Sequence, residues 1–155
     1  MHPEFAKHVE SLHPKFEALI GMQPHTVPTL SRDIPDRGIY LFSDDAIHLY
    51  VGRTNTLRSR LQNHCRPSSP QNKAAFAFRL AREATGQLVA SYQTNGSREQ
   101  LMEDPQFAQA FADAKDRIRQ MSVRFVEERD PIRQCLLEVY AAIVLQTPYN
   151  DFDNH

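Results

Sequence analysis

Tyr40, Tyr50, Arg53, Arg60, His64 and the distant Glu138 are the residues of this chain whose types and spacing could do chemistry. Two phenols, two guanidiniums, an imidazole and a carboxylate suit a metal-assisted reaction on an anion. Guanidiniums neutralise charge that grows on phosphoryl oxygens, a phenol or imidazole moves a proton, and a carboxylate holds a hard cation. Phosphodiester hydrolysis fits that inventory best. Each residue taken singly has a plainer reading. A strand tyrosine commonly keeps its hydroxyl in water, and a lone histidine near a helix end is commonly a cap or a surface group. Glu138 could lie on an exposed strip and pair with an arginine.

The elements that must position these groups are legible in the pattern. "GIYLF" and "IHLYVG", separated by "SDDA", read as an antiparallel hairpin on which Tyr40 and Tyr50 approach one another if their faces match. The hairpin leads straight into a helix that carries Arg60 and His64, four apart and so on one face, with Leu57 and Leu61 on the neighbouring apolar stripe. That spacing predicts both polar groups along one edge. Glu138 sits within "PIRQCLLEVYAAIVLQ", a helix apolar nearly all round and therefore expected to be largely buried. A carboxylate there costs several kcal/mol unless it is paired, protonated or bound to a metal.

Elsewhere, residues 3–20 carry apolar side chains at helical spacing and predict one amphipathic helix, followed by a proline-rich connector. "KAAFAFRLAREATG" predicts a helix ended by Gly86, and "PQFAQAFADAKDRIRQ" a helix opened by Pro105. "MSVRFVEE" alternates as a third strand, and "QLVASYQTNGSREQLMED" stays mixed. The result is an α+β single domain over residues 1–155, a small three-stranded antiparallel sheet flanked by helices.

Bulk properties set limits. A chain of 155 residues with 41% hydrophobic and 24% charged residues is ordinary for a globular domain. No apolar run approaches the roughly 20 residues of a membrane span, and no signal-peptide core is seen. Cys65 and Cys135 stand far apart, so free thiols and a cytoplasmic location are expected. Net charge is −1, yet residues 46–98 hold eight basic residues and one acid, Glu83. A basic middle in an acidic chain suits a polyanion, or simply a solvated helix surface. No HExxH, CxxC pair, P-loop or GxSxG motif is present.

Gly38-Ile39-Tyr40 followed by Tyr50-Val51-Gly52 resembles the signature of the GIY-YIG nucleases, with valine in place of the middle isoleucine. "YVGRTNTLRSRLQNH" resembles the family's second motif: Arg60 falls at its helix arginine, and Arg53 where many members have lysine or arginine. His64 matches a histidine of some restriction-type members. Glu138 resembles the metal-binding glutamate, and Asn150 the asparagine that ends the domain. The resemblance covers residues 37–65 and 121–151. It leaves residues 1–36 as an N-terminal helix and connector and 66–120 as an insertion.

What the resemblance implies is a DNA endonuclease, of restriction, repair or phage-defence type, with one Mg²⁺ or Mn²⁺ per site held by Glu138. Tyr40 would be the general base or orient water, Tyr50 would orient water or phosphate, Arg60 and Arg53 would neutralise phosphoryl charge, and Asn150 would brace the site. An unperturbed phenol titrates near pH ~10, so Tyr40 needs nearby cations or a relay through His64 or a metal-bound water. The alternative is a nucleic-acid-binding or interaction module that kept the fold without catalysis. Substrate contacts would come from Lys73, Arg79 and Arg82 of the insertion or from a specificity partner, and cutting both strands would need a homodimer or two visits.

Overall fold

A computed structural model describes residues 1–87 and 97–153; residues 88–96, part of the stretch whose sequence pattern is mixed, lie outside the described residues. In chain order the elements are α1 (Pro3–Val9), α2 (Leu12–Gly21), β1 (Gly38–Asp44), β2 (Ile47–Thr54), α3 (Leu57–Cys65), α4 (Ala75–Thr85), α5 (Arg98–Glu103), α6 (Pro105–Gln120), β3 (Ser122–Glu127) and α7 (Pro131–Leu145). They form two compact units, one of Met1–Ser59 with Met121–Asn150, the other of Arg60–Gln120 with the residues from Asp151 on. The fold class is α+β, with three antiparallel strands flanked by helices, as the pattern predicts. Among the described residues no helix is long and apolar enough to cross a membrane.

The first unit holds the sheet, in the order β2-β1-β3. Asp45 turns the hairpin with φ of 52°, a left-handed value that aspartate tolerates. In this register Tyr40 lies opposite Gly52 and Phe125, and Phe42 opposite Tyr50 and Val123. Alternation divides β1 cleanly. Ile39 and Leu41, with Val51, pack against Leu12, Phe16 and Leu19 of α2 and Leu137 and Ala141 of α7. Tyr40 and Phe42 are buried on the opposite face.

Two expectations change here. The helix predicted over residues 3–20 is two helices, α1 and α2. Pro14 explains the break: its ring clashes with the carbonyl four residues back, that of Glu10, and it lacks an N–H. The chain restarts at Leu12, which leaves Pro14 in the first turn of α2, where no N–H is required. The second change concerns α7. It buries Gln134, Leu137, Ala141 and Ala142 but exposes Ile132, Ile143 and Val144. Only one side of the helix meets α2 and the strands, and a run apolar all round does not reveal which side that is. Asp130 caps α7 by accepting from the Arg133 backbone N–H at 2.8 Å, which holds its carboxyl below the usual range.

The second unit has an aromatic core where α4 meets α6. Phe78 lies 5.1 Å from Phe107 and 6.2 Å from Phe111, ring centre to ring centre. Gly86 ends α4 with φ of 74° and donates its N–H to the last turn. The loop after α3 is held by its carbonyls. Arg119 donates to Cys65 O (2.7 Å), Lys115 to Pro67 O and Ser69 O (2.6 and 3.0 Å), Arg98 to Gln71 O (3.2 Å) and Arg60 to Lys73 O (3.1 Å). Four cations thus satisfy a loop that cannot form a ladder of its own. Lys115 is buried, and desolvation lowers its amine from the ordinary value.

Candidate active site

The candidate residues of the first unit meet at the outer edge of β2, on three successive residues. Val51 is gripped by Asn150, whose Oδ1 accepts from Val51 N–H at 2.9 Å and whose Nδ2 donates to Val51 O at 2.8 Å. One side-chain amide thereby does what a neighbouring strand would do for an edge residue. Thr147 fixes the amide from behind, its hydroxyl donating to Asn150 Oδ1 at 2.8 Å. Tyr149 N–H adds a bond to Leu49 O at 3.2 Å, so the chain after α7 runs along the free edge of β2.

Gly52 lies under the phenol of Tyr40. A Cβ there would fall far inside van der Waals contact with Cζ and Oη of that ring. The glycine is therefore required by close approach: it leaves room for the phenol end of the buried Tyr40 ring directly over β2. Tyr50, two residues earlier and on the same face, has its ring centre 6.3 Å from that of Tyr40. Phe42 supports Tyr40 edge-on at 5.8 Å. The hairpin does bring the two tyrosines together, as the sequence allows.

Arg53 follows, and its Nε donates to Glu138 Oε2 at 2.9 Å. Alternation sends Arg53 to the face that α7 covers, so the ion pair and the phenols reach the same three residues from opposite faces of the sheet. The Glu138 side chain retains 19% of its accessible surface and that of Arg53 48%. Pairing resolves the cost of a carboxylate on an apolar helix, and the pair itself is half wet, worth about 0–1 kcal/mol to stability. Gln134, one turn before Glu138, is buried and bonds Glu128 O and Asn55 Oδ1 at 2.7 and 3.2 Å. Nothing in the sequence points to this role, since a glutamine on an apolar helix reads as surface.

The second unit holds Arg60, His64, Lys73, Arg79 and Arg82. The start of α3 is fixed within the first unit: Leu57 N–H donates to Asp36 O at 2.7 Å, and Arg58 donates to Ser31 O. His64 departs from the edge position that its spacing suggests. It is fully buried and packs edge-on against Phe76 at 6.5 Å. Burial first, and the Arg60 charge second, hold its imidazole well below the ordinary 6.5, so the ring is neutral at pH 7. The edge expected from helical spacing is covered because Leu57, Leu61 and His64 fall on adjoining stripes and all three are enclosed. Lys73 is exposed, and Arg79 and Arg82 are half-buried on α4.

A metal can be weighed against these donors. No group of three or more His, Cys, Asp or Glu suited to a metal occurs among the described residues. A caged ion of structural type therefore does not fit them. Mg²⁺ is commonly held through one or two carboxylates, with water and substrate phosphate completing its shell. Glu138, a partly exposed carboxylate on a rigid helix, fits that mode.

A family model described as the GIY-YIG catalytic domain matches residues 37–103. No curated protein and no solved structure matches the chain. The match begins at β1 and takes in residues 66–103, which the motif spacing alone sets apart as an insertion, and it ends before Glu138 and Asn150. The match over residues 37–103 supports the GIY-YIG nuclease superfamily and, in general terms, a nuclease-type function.

Proposed function

We propose that this chain is a nuclease of the GIY-YIG type, a divalent-metal-dependent endonuclease that hydrolyses phosphodiester bonds of DNA. The observation that carries the reading is the meeting of Asn150, Tyr40 and Arg53–Glu138 on Val51, Gly52 and Arg53 in turn. Three supports on consecutive residues make the edge of β2 rigid, and rigidity is what a reacting phosphate needs from its surroundings.

Each side chain has a part in this reading. The Tyr40 hydroxyl orients or deprotonates the attacking water, and Tyr50 beside it orients water or phosphate. Arg53 is a guanidinium already at the edge of β2, where it can neutralise charge on a phosphoryl oxygen as its pairing with Glu138 loosens. Glu138 would hold Mg²⁺ or Mn²⁺, which supplies positive charge for the phosphate and acidity for bound water. Asn150 braces the strand and is a positioning residue. For Arg60 as a phosphate ligand and for His64, support rests on the resemblance alone. A binding module without catalysis remains the competing class.

The test is cleavage. Supercoiled plasmid and labelled single-stranded DNA are incubated with the protein in Mg²⁺, Mn²⁺ or EDTA, beside a Glu138→Ala variant. Cutting that requires metal and disappears in the variant, while the melting temperature stays within a few degrees, supports the reading. Wild-type protein that shifts DNA in a gel without cutting it under any metal overturns it in favour of the binding module.

A further inference from the structure

Arg82 of α4 and Arg98 of α5 lay their guanidiniums against one ring. Their Cζ atoms stand 5.2 and 5.0 Å from the centre of Phe78, itself 1% exposed and packed on Phe107 and Phe111. A ring face attracts one cation, and a second one brought to the same ring meets the first within a Debye length at 0.1 M salt. Burial, and next the charge of Arg98, lower the Arg82 guanidinium from its ordinary value, which marks the pair as mutually repelling. Such a pair is at its most favourable with an anion beside it.

The donors left over fit that need. Arg82 Nη1 donates to Gln87 O at 3.4 Å and Arg98 Nη1 to Gln71 O at 3.2 Å. A guanidinium carries five N–H donors in a fixed fork. Neither arginine pairs with a carboxylate among the described residues, although Glu83 and Glu99 are their neighbours in sequence. The stretch between them in sequence that lies outside the described residues, 88–96, "LVASYQTNG", contains no acid. The carbonyl bonds and the buried ring hold both stems, so little side-chain entropy remains to be lost on binding.

We propose that Arg82 and Arg98, braced on Phe78, form a phosphate clamp for a nucleic-acid backbone. The choice of a polymer phosphate over a free one rests on the nuclease reading above. The clamp is a binding element, and it carries no base sequence information.

Salt dependence of binding tests it. Affinity for a labelled DNA duplex is measured in EDTA over a range of salt, for wild type, Arg98→Gln, Arg98→Lys and the Arg82→Gln/Arg98→Gln double variant. Each lost phosphate contact reduces the slope of log K against log salt by about 0.9. The clamp requires that loss in Arg98→Gln, about twice that in the double variant, and a retained slope in Arg98→Lys. An unchanged slope with a lowered melting temperature overturns it, because Arg98 is then only a brace for Gln71. Inorganic phosphate that raises the melting temperature of wild type alone, with DNA slopes equal, also overturns it and assigns the pair to free phosphate. Wild type that binds no DNA overturns it as well. Protein that binds with these slopes yet never cuts leaves the clamp in place and removes the nuclease reading instead.

Discussion

One cluster of charge in each unit is satisfied differently. In the first, Arg53 and Glu138 answer one another at the sheet edge, and Arg133 with Glu128 does the same at the start of α7. In the second, Arg60, Arg98, Lys115 and Arg119 donate to backbone carbonyls of one loop, and Arg82 and Arg98 lean on a phenylalanine. A carbonyl or a ring satisfies a cation's geometry without cancelling its charge. Arg82 and Arg98 therefore stay charged while well bonded, although Arg119 of the same unit also pairs with Asp116 at 3.4 Å. Arg53 and Glu138 instead neutralise one another at a rigid edge. A surface for a polyanion and a centre for chemistry make these different demands.

This contrast between the units is testable at four points, in falling order of effect. Phe78→Ala removes the ring shared by the aromatic core and both arginines. It should cost about 3–5 kcal/mol in chemical denaturation, and a loss under about 1 kcal/mol would mean the second unit does not depend on this core. Gly52→Ala pushes a methyl into Tyr40, which is buried and has no room to retreat. Overpacking of about 1–3 kcal/mol is expected together with loss of cleavage, and a variant of wild-type melting temperature and activity would show that Tyr40 is not fixed by β2.

Asn150→Ala leaves both polar groups of Val51 without their amide partner. About 1–3 kcal/mol should be lost, with activity falling further than binding; equal losses would make Asn150 purely structural. The smallest effect concerns pH. Because the folded state keeps His64 neutral below 6.5, the unfolded chain takes up a proton there that the folded one refuses. Stability should then fall as pH drops below that value, and the fall should be shallower in His64→Gln when melting temperatures are compared from pH ~7 to ~5. Equal slopes in the two proteins would show that His64 does not set the acid limit.

Much of the fold is legible in the chain because it depends on local rules. The hairpin, its tight turn, the Gly86 stop and the Pro105 and Pro131 starts follow from backbone preferences that neighbours in sequence decide. The approach of Tyr40 to Tyr50 follows from strand alternation once the register is right. Two departures also have local causes. Pro14 breaks a helix whose apolar spacing is good, and α7 conceals its exposed side behind uniform apolarity.

Propensity, capping and alternation act over a few residues. The elements, their order and the residue types capable of phosphodiester chemistry are for that reason properties of the sequence alone. Tertiary structure decided which polar groups have company. Asn150 reaches Val51 across 99 positions and Glu138 reaches Arg53 across 85, while His64 is enclosed and Arg82 and Arg98 share one ring. Such contacts are fixed by how whole elements pack, a cooperative outcome of the entire core that no short window of residues contains.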